Sequence, residues 1–237
     1  MRHLLLWLTC LCAFPALAEV GTVAQLEGEA TRTAAGGSAE ALKEGSAIEL
    51  GDLIAVQPGG NLALMLTDES TLVLAGGSQL RIDEASFSGL ERQSFSARLM
   101  LGTVWAKVKK AMAGSSAKFD ITTERSVAGV RGTTFQVEVA GEETHVDVEE
   151  GLVEVQHDGN APGEARQVHQ VHAGERLRLL RAQVFRERFV GPQGRFERFV
   201  HAHRERMEKL RREPADRRLL ERREEQRERM RQRRNLR

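Results

Sequence analysis

Between Val20 and Leu180 the apolar residues mostly recur at every second position, in short runs punctuated by Gly, Asn, Asp and Pro. A period of two sends alternate side chains to opposite faces of an extended strand. Runs of this length bury one face each, and no helical period long enough for a crossover helix intervenes between them. A βαβ architecture is therefore excluded, and the pattern predicts an all-β fold: a short-stranded β-sandwich, a jelly roll or a solenoid-like wrapped sheet. The clearest segments are Phe135 to Val139 and His145 to Glu149, which flank a turn at Gly141-Glu142-Glu143. Gly102 to Val108 alternates equally well. It places Val104, Ala106 and Val108 on one face and Trp105 and Lys107 on the other.

The pattern changes near Ala182. Phe185, Phe189, Phe196, Phe199, Val200, His203, Met207 and Leu210 follow at three- and four-residue steps, apart from a break at Gly191 to Gly194. That spacing predicts a C-terminal α-helical tail over residues 182–237 with one narrow apolar stripe that needs a partner. Beyond Pro214 the tail is dense in Arg and Glu, which predicts a solvated, partly disordered end. Charge divides at the same boundary. Residues 19–175 hold 12 Lys+Arg against 24 Asp+Glu, whereas residues 176–237 hold 22 against 10. Body and tail are expected to attract each other, or the cationic tail to meet an anionic membrane surface. Self-association through the helix is a further expectation from the unpartnered stripe.

The first eighteen residues combine a short basic start, an apolar run from Leu4 to Leu17 and small residues at Ala16-Leu17-Ala18. This is the layout of a cleavable secretory signal, so residues 1–18 read as a leader and residues 19–181 as the β domain. The apolar run falls short of the ~20 residues that a spanning helix needs. Both cysteines, Cys10 and Cys12, lie within the leader, so no disulfide or cysteine metal site is expected in the exported protein. A periplasmic or secreted location follows.

Reactive groupings are sparse. No Gly-x-Ser-x-Gly elbow, phosphate loop or His-Glu-x-x-His helix is present, and the chain is read as non-enzymatic, with no catalytic residue and no cofactor. His145, Asp147 and Glu149 share one side of a strand and have the chemistry of divalent-cation ligands, but they equally fit an ordinary solvent face, and no metal site is assigned. His169 with His172, and His201 with His203, lack useful ligand spacing. The Arg pairs of the tail form a basic series, yet glutamates interleave and export removes the chain from nucleic acid, so no nucleic-acid partner is expected.

One stretch carries more specific information. Thr122-Thr123, then Val127-Ala128-Gly129-Val130-Arg131-Gly132-Thr133-Thr134-Phe135-Gln136-Val137, then Thr144 to Val155 resembles the signature strand pair of the FecR domain. Upstream, Gly45 to Ile54, Leu62 to Leu74 and Gly102 to Val108 are similar to that domain's earlier segments, and Val171-His172-Ala173-Gly174-Glu175 to its closing one. From the residues themselves, Gly129 and Gly132 flanking Val130-Arg131 predict a corner where backbones approach or φ turns positive. Arg131 either pairs or bonds with turn carbonyls, or contacts a ligand directly. Gly129, Arg131, Gly132, Thr133 and Phe135 form the candidate recognition motif, and Phe185, Phe189, Phe196 and Phe199 the candidate tail contacts.

The resemblance implies a periplasmic sensing or binding module. Regulators of this type span the inner membrane, hold a sigma factor through a cytoplasmic segment and contact a TonB-dependent receptor. Here no cytoplasmic segment precedes the apolar run, so only the periplasmic module is expected to carry over. The implied partner is an envelope protein or a small ligand. The competing expectation is an envelope-anchoring protein whose basic tail grips anionic surfaces.

Overall fold

The computed structural model of the chain describes residues 19–111, 117–157, 166–180, 183–189 and 196–209. Residues 1–18, read above as a leader, and the tail beyond residue 209 lie outside the described residues.

In chain order the strands are β1 (Glu19–Glu27), β2 (Ala30–Thr33), β3 (Ala39–Ala41), β4 (Ala47–Glu49), β5 (Leu53–Val56), β6 (Asn61–Leu66), β7 (Thr71–Ala75), β8 (Gln79–Ser88) and β9 (Glu91–Lys107). There follow β10 (Asp120–Thr122), β11 (Ser126–Val130), β12 (Thr134–Ala140), β13 (Glu143–Glu150), β14 (Leu152–His157), β15 (Gln167–His172), β16 (Glu175–Leu180) and β17 (Gln183–Arg188). A single helix among the described residues, α1, covers 196–209. It is too short and too polar to cross a membrane.

The strands form two layers. The first runs β4-β1-β6-β7-β9-β12-β13-β16-β17. The second runs β3-β2-β5-β8-β9-β10-β11-β14-β15. Neighbours are antiparallel except β9 with β10. The chain thus shuttles between layers as it advances along both, which gives an all-β sandwich with a wrapped, solenoid-like progression. The expected fold class is the observed one.

Strand β9 belongs to both layers. It leaves the second and joins the first at Gly102, whose φ is +86°. A Cβ there would meet the Ser78 Cα at 2.6 Å, and the Ser78 hydroxyl bridges the Thr103 amide and carbonyl at 2.9 and 3.0 Å. Only glycine permits this approach.

Alternate residues fill the space between the layers. Leu62, Leu64, Leu72, Leu74, Val104, Phe135 and Val137 from the first layer meet Ile54, Leu80, Ile82, Phe95, Ile121 and Val155 from the second in one continuous core. Each such fully buried side chain contributes about 1.5–3 kcal/mol of transfer free energy. At one end, Arg92 enters the interior and pairs with Asp68, donates to the Ser70 hydroxyl at 3.1 Å and to the Lys109 carbonyl at 3.2 Å, and lies over Phe119. That network fastens the β6–β7 hairpin to both ends of β9.

Residues Asp83 to Ser94 continue as the long β8–β9 hairpin, with Ala85 and Phe87 partly buried against the core. One local expectation requires correction. The helix expected from Phe185 is not found there: Gln183–Arg188 is a strand paired with β16, and the described helix covers 196–209. Phe185 there lies opposite Arg178, whose guanidinium carbon sits 4.2 Å from the ring centroid, and Phe189 lies under Arg176 at 5.7 Å. These cation–π contacts across the sheet satisfy the aromatic rings that the four-residue spacing suggested were helical.

Candidate recognition site

On the outer face of the first layer the strand registers line up one continuous row: Gln25, Ala63, Val73, Trp105, Gln136, Asp147, Arg176 and Glu187. The row is apolar at one end and ionic at the other, a difference written directly in the strand sequences. Such a face of a two-layer sandwich normally meets water. Here Ala63, Val73 and Trp105 are nevertheless buried, since Phe196, Phe199 and Val200 of α1 pack against them in a second, separate apolar cluster.

Polar contacts fix how α1 lies. Trp105 Nε1 donates to Glu149 Oε1 at 2.8 Å, Arg204 Nη2 donates to Glu149 Oε2 at 2.5 Å, and the Arg204 guanidinium sits 4.5 Å from the Trp105 ring centroid. Glu149 therefore ties the helix to Trp105. Arg206 adds a paired contact to Glu44 at 3.3 Å, which holds the Glu44 carboxyl below its ordinary range.

The ionic end of the row is closed by its own partners. Asp147 is fully buried and accepts two bonds from Arg176, at 2.6 and 2.8 Å. His145 lies between Glu138 at 3.5 Å and Glu143 at 3.2 Å, and the hydrogen bond with Glu138 raises its pKa. The three side chains considered as a metal set, His145, Asp147 and Glu149, thus each engage partners of their own. Among the described residues no group of three or more His, Cys, Asp or Glu is placed to hold a metal ion.

Between α1 and the sheet opens a cleft of about 610 Å³, within the size range of small-molecule sites. Its floor is Trp105 and Val108, one wall is His203 and Met207 of α1, and the opposite wall is Gly132, Thr133 and Thr134. His203 is 1 % exposed, and neither ring nitrogen has a hydrogen-bond partner. Burial, with a smaller contribution from Arg206, lowers its pKa to about 4.

The candidate motif Val127 to Val137 is the corner by which the chain passes from β11 in the second layer to β12 in the first. Gly132 takes φ +70°, and a Cβ on it would meet the Lys110 Cβ at 2.8 Å. Thr133 donates its hydroxyl to the Leu152 carbonyl at 3.0 Å and accepts the Val108 amide at 3.0 Å. Phe135 is fully buried in the core. Gly129 sits in β11, its Cα facing Asp120 across the strand pair. Arg131 is exposed and makes no hydrogen bond among the described residues; it lies beside a second, shallower groove with Gly129, Leu152 and Glu154.

The candidate residues thus divide. Gly132 and Thr133 reach the cleft, Arg131 faces elsewhere, and Phe135 belongs to the core. Of the aromatic tail residues, Phe196 and Phe199 join the outer-face cluster, whereas Phe185 and Phe189 pack on β16 arginines. Arg204 was not singled out by sequence and Glu149 was weighed only as a metal ligand, although Trp105 on the polar face of an alternating strand was the visible sign.

Residues 52–154 match the family model described as FecR protein. No curated protein matches the chain. Two crystal structures of a candidate anti-sigma factor from Parabacteroides distasonis are similar at 20 % identity and a TM-score of 0.47, covering 57 % of this chain. The chain spans 59 % of that protein's length. The matched segment contains the sheet residues that floor and wall the cleft but not α1. Over residues 52–154, this chain carries a domain of the FecR family.

Proposed function

We propose that the chain is an exported, non-catalytic recognition module of the cell envelope, acting in signalling through the outer face of its first β-layer, with α1 as the cover of that face. The observation that carries this reading is the seating of α1, from outside the matched FecR segment, on Ala63, Val73 and Trp105 of that segment. An apolar strip of this kind on a sandwich face marks a surface built to be covered, and the cover is a short helix held by few contacts. The Gly132-Thr133 corner borders the same surface, which links the FecR signature to it. The envelope location is supported by the family and by the leader-like residues 1–18.

The test is photo-crosslinking in intact cells. A crosslinking residue at Met65 or Lys107 of the outer face should give a protein adduct, strengthened by Phe199→Asp, while one at Leu90 on the distal β8–β9 hairpin should not. Equal adducts from all three positions, or none from the outer face, would overturn the reading.

A further inference from the structure

We infer that the cleft beneath α1 binds the oxyanion group of a small ligand, a phosphate or a carboxylate, between His203, Lys107 and Lys110. This rests on the reading of the outer face as a recognition surface and names the chemistry of what it accepts.

His203 is the first observation. Its ring is withdrawn from solvent and both nitrogens are unmet, a state that is costly unless a partner occupies the space beside it. Had the position served packing alone, an aliphatic residue would have continued the Phe196, Phe199, Val200 stripe without that cost. An imidazole among the residues that line a cleft carries instead a donor for an acceptor bound there.

The second observation is which charges around the cleft are already spent. Glu69 accepts Lys109 Nζ at 3.1 Å and Glu150 accepts the Thr134 hydroxyl at 3.2 Å. Glu149 is divided between Trp105 and Arg204, and Glu208 is also engaged. Lys107 and Lys110 line the same cleft and form no ion pair among the described residues. The lining sets Lys107, Lys109, Lys110 and Arg204 against Glu69, Glu150 and Glu208, a balance of one positive charge, with the Thr71 hydroxyl as a further donor. Point-charge ammonium groups with hydroxyl and imidazole donors suit a phosphate or carboxylate oxygen.

Histidine ring nitrogens of the full chain, followed by two-dimensional NMR during titration with sodium phosphate, sodium succinate or sodium chloride at matched ionic strength, provide the test. Saturable movement of the His203 resonances with phosphate assigns a phosphate ligand, and with succinate a carboxylate ligand. In either case Lys107→Gln with Lys110→Gln should weaken binding about tenfold, as expected for the loss of one or two partly exposed charge contacts. Both lysines are exposed, so the double variant keeps its fold, which unchanged Trp105 fluorescence verifies. Absence of saturable movement with both anions means that no oxyanion binds in the cleft, and undiminished affinity in the double variant means that the anion binds without the lysines; either result overturns the inference. Neither result would touch the crosslinking outcome, so failure here is distinguishable from failure of the recognition-face reading.

Discussion

Acidification should release α1, and His203 should be the reason. Its pKa lies at about 4 when buried, against the ordinary 6.5, so the docked helix prefers the neutral ring. For a histidine lowered in this way, the stabilisation is complete above pH 6.5, declines as the pH falls, and is gone below about 4. The gap corresponds to roughly 3 kcal/mol of docking free energy. The neighbouring Arg206 opposes a charged ring, while its bond to Glu44 holds that helix-fastening carboxyl below its ordinary range. Trp105 reports the event, because α1 covers it and the other tryptophan, Trp7, lies among residues 1–18, which the exported form is expected to lack. Between neutral pH and about 4.5, the emission of Trp105 should shift to the red and its quenching by acrylamide should rise, with β-sheet circular dichroism unchanged. His203→Leu should abolish the response over this range. Equal acid sensitivity in the wild type and in His203→Leu would refute the reasoning.

Other consequences follow from individual contacts. Phe199→Asp places a charge against Ala63, Val73 and Trp105, and should expose Trp105 at neutral pH while leaving the main unfolding transition in place, since α1 contributes nothing to the principal core. Gly102→Ala meets both a positive φ and the Ser78 backbone, and should cost about 2–4 kcal/mol in urea denaturation. Asp147→Ala leaves Arg176 without its buried partner and should cost about 2–4 kcal/mol, part of which Arg176→Leu in the same chain should restore. The raised pKa of His145 means that its contribution is complete below pH 6.5 and is lost as the pH rises through the folded-state value; His145→Gln should flatten the stability profile on that alkaline side.

Much of the body was legible because period two is a direct consequence of strand geometry. Leu62, Leu64, Leu72, Leu74, Val104 and Ala106 could be assigned inward from spacing alone, and the Gly129 to Phe135 corner from its glycines. Strand β9 was harder: its first half is rich in Arg, Ser and Gln, and inward residues such as Phe95 and Ala97 are diluted by an exposed opposite face. The placement of β17 was misjudged because Phe185 and Phe189 are four apart, as on a helix, while their real partners are arginines on an adjacent strand. The stripe of α1 could be read, but its landing place could not. That place is set by the register aligning Ala63, Val73 and Trp105 across three strands, which no local window contains. The cleft, and the burial of His203 within it, exist only once helix and sheet meet.

Hydrogen exchange followed residue by residue tests the central claim, that α1 is a separable cover on a self-sufficient FecR sandwich. The amides of residues 196–209 should open with a free energy well below that of β7, β9 and β12, and Phe199→Asp should erase their protection while those strands keep theirs. Helix and strands opening together as one unit, or a helix indifferent to Phe199→Asp, would contradict it.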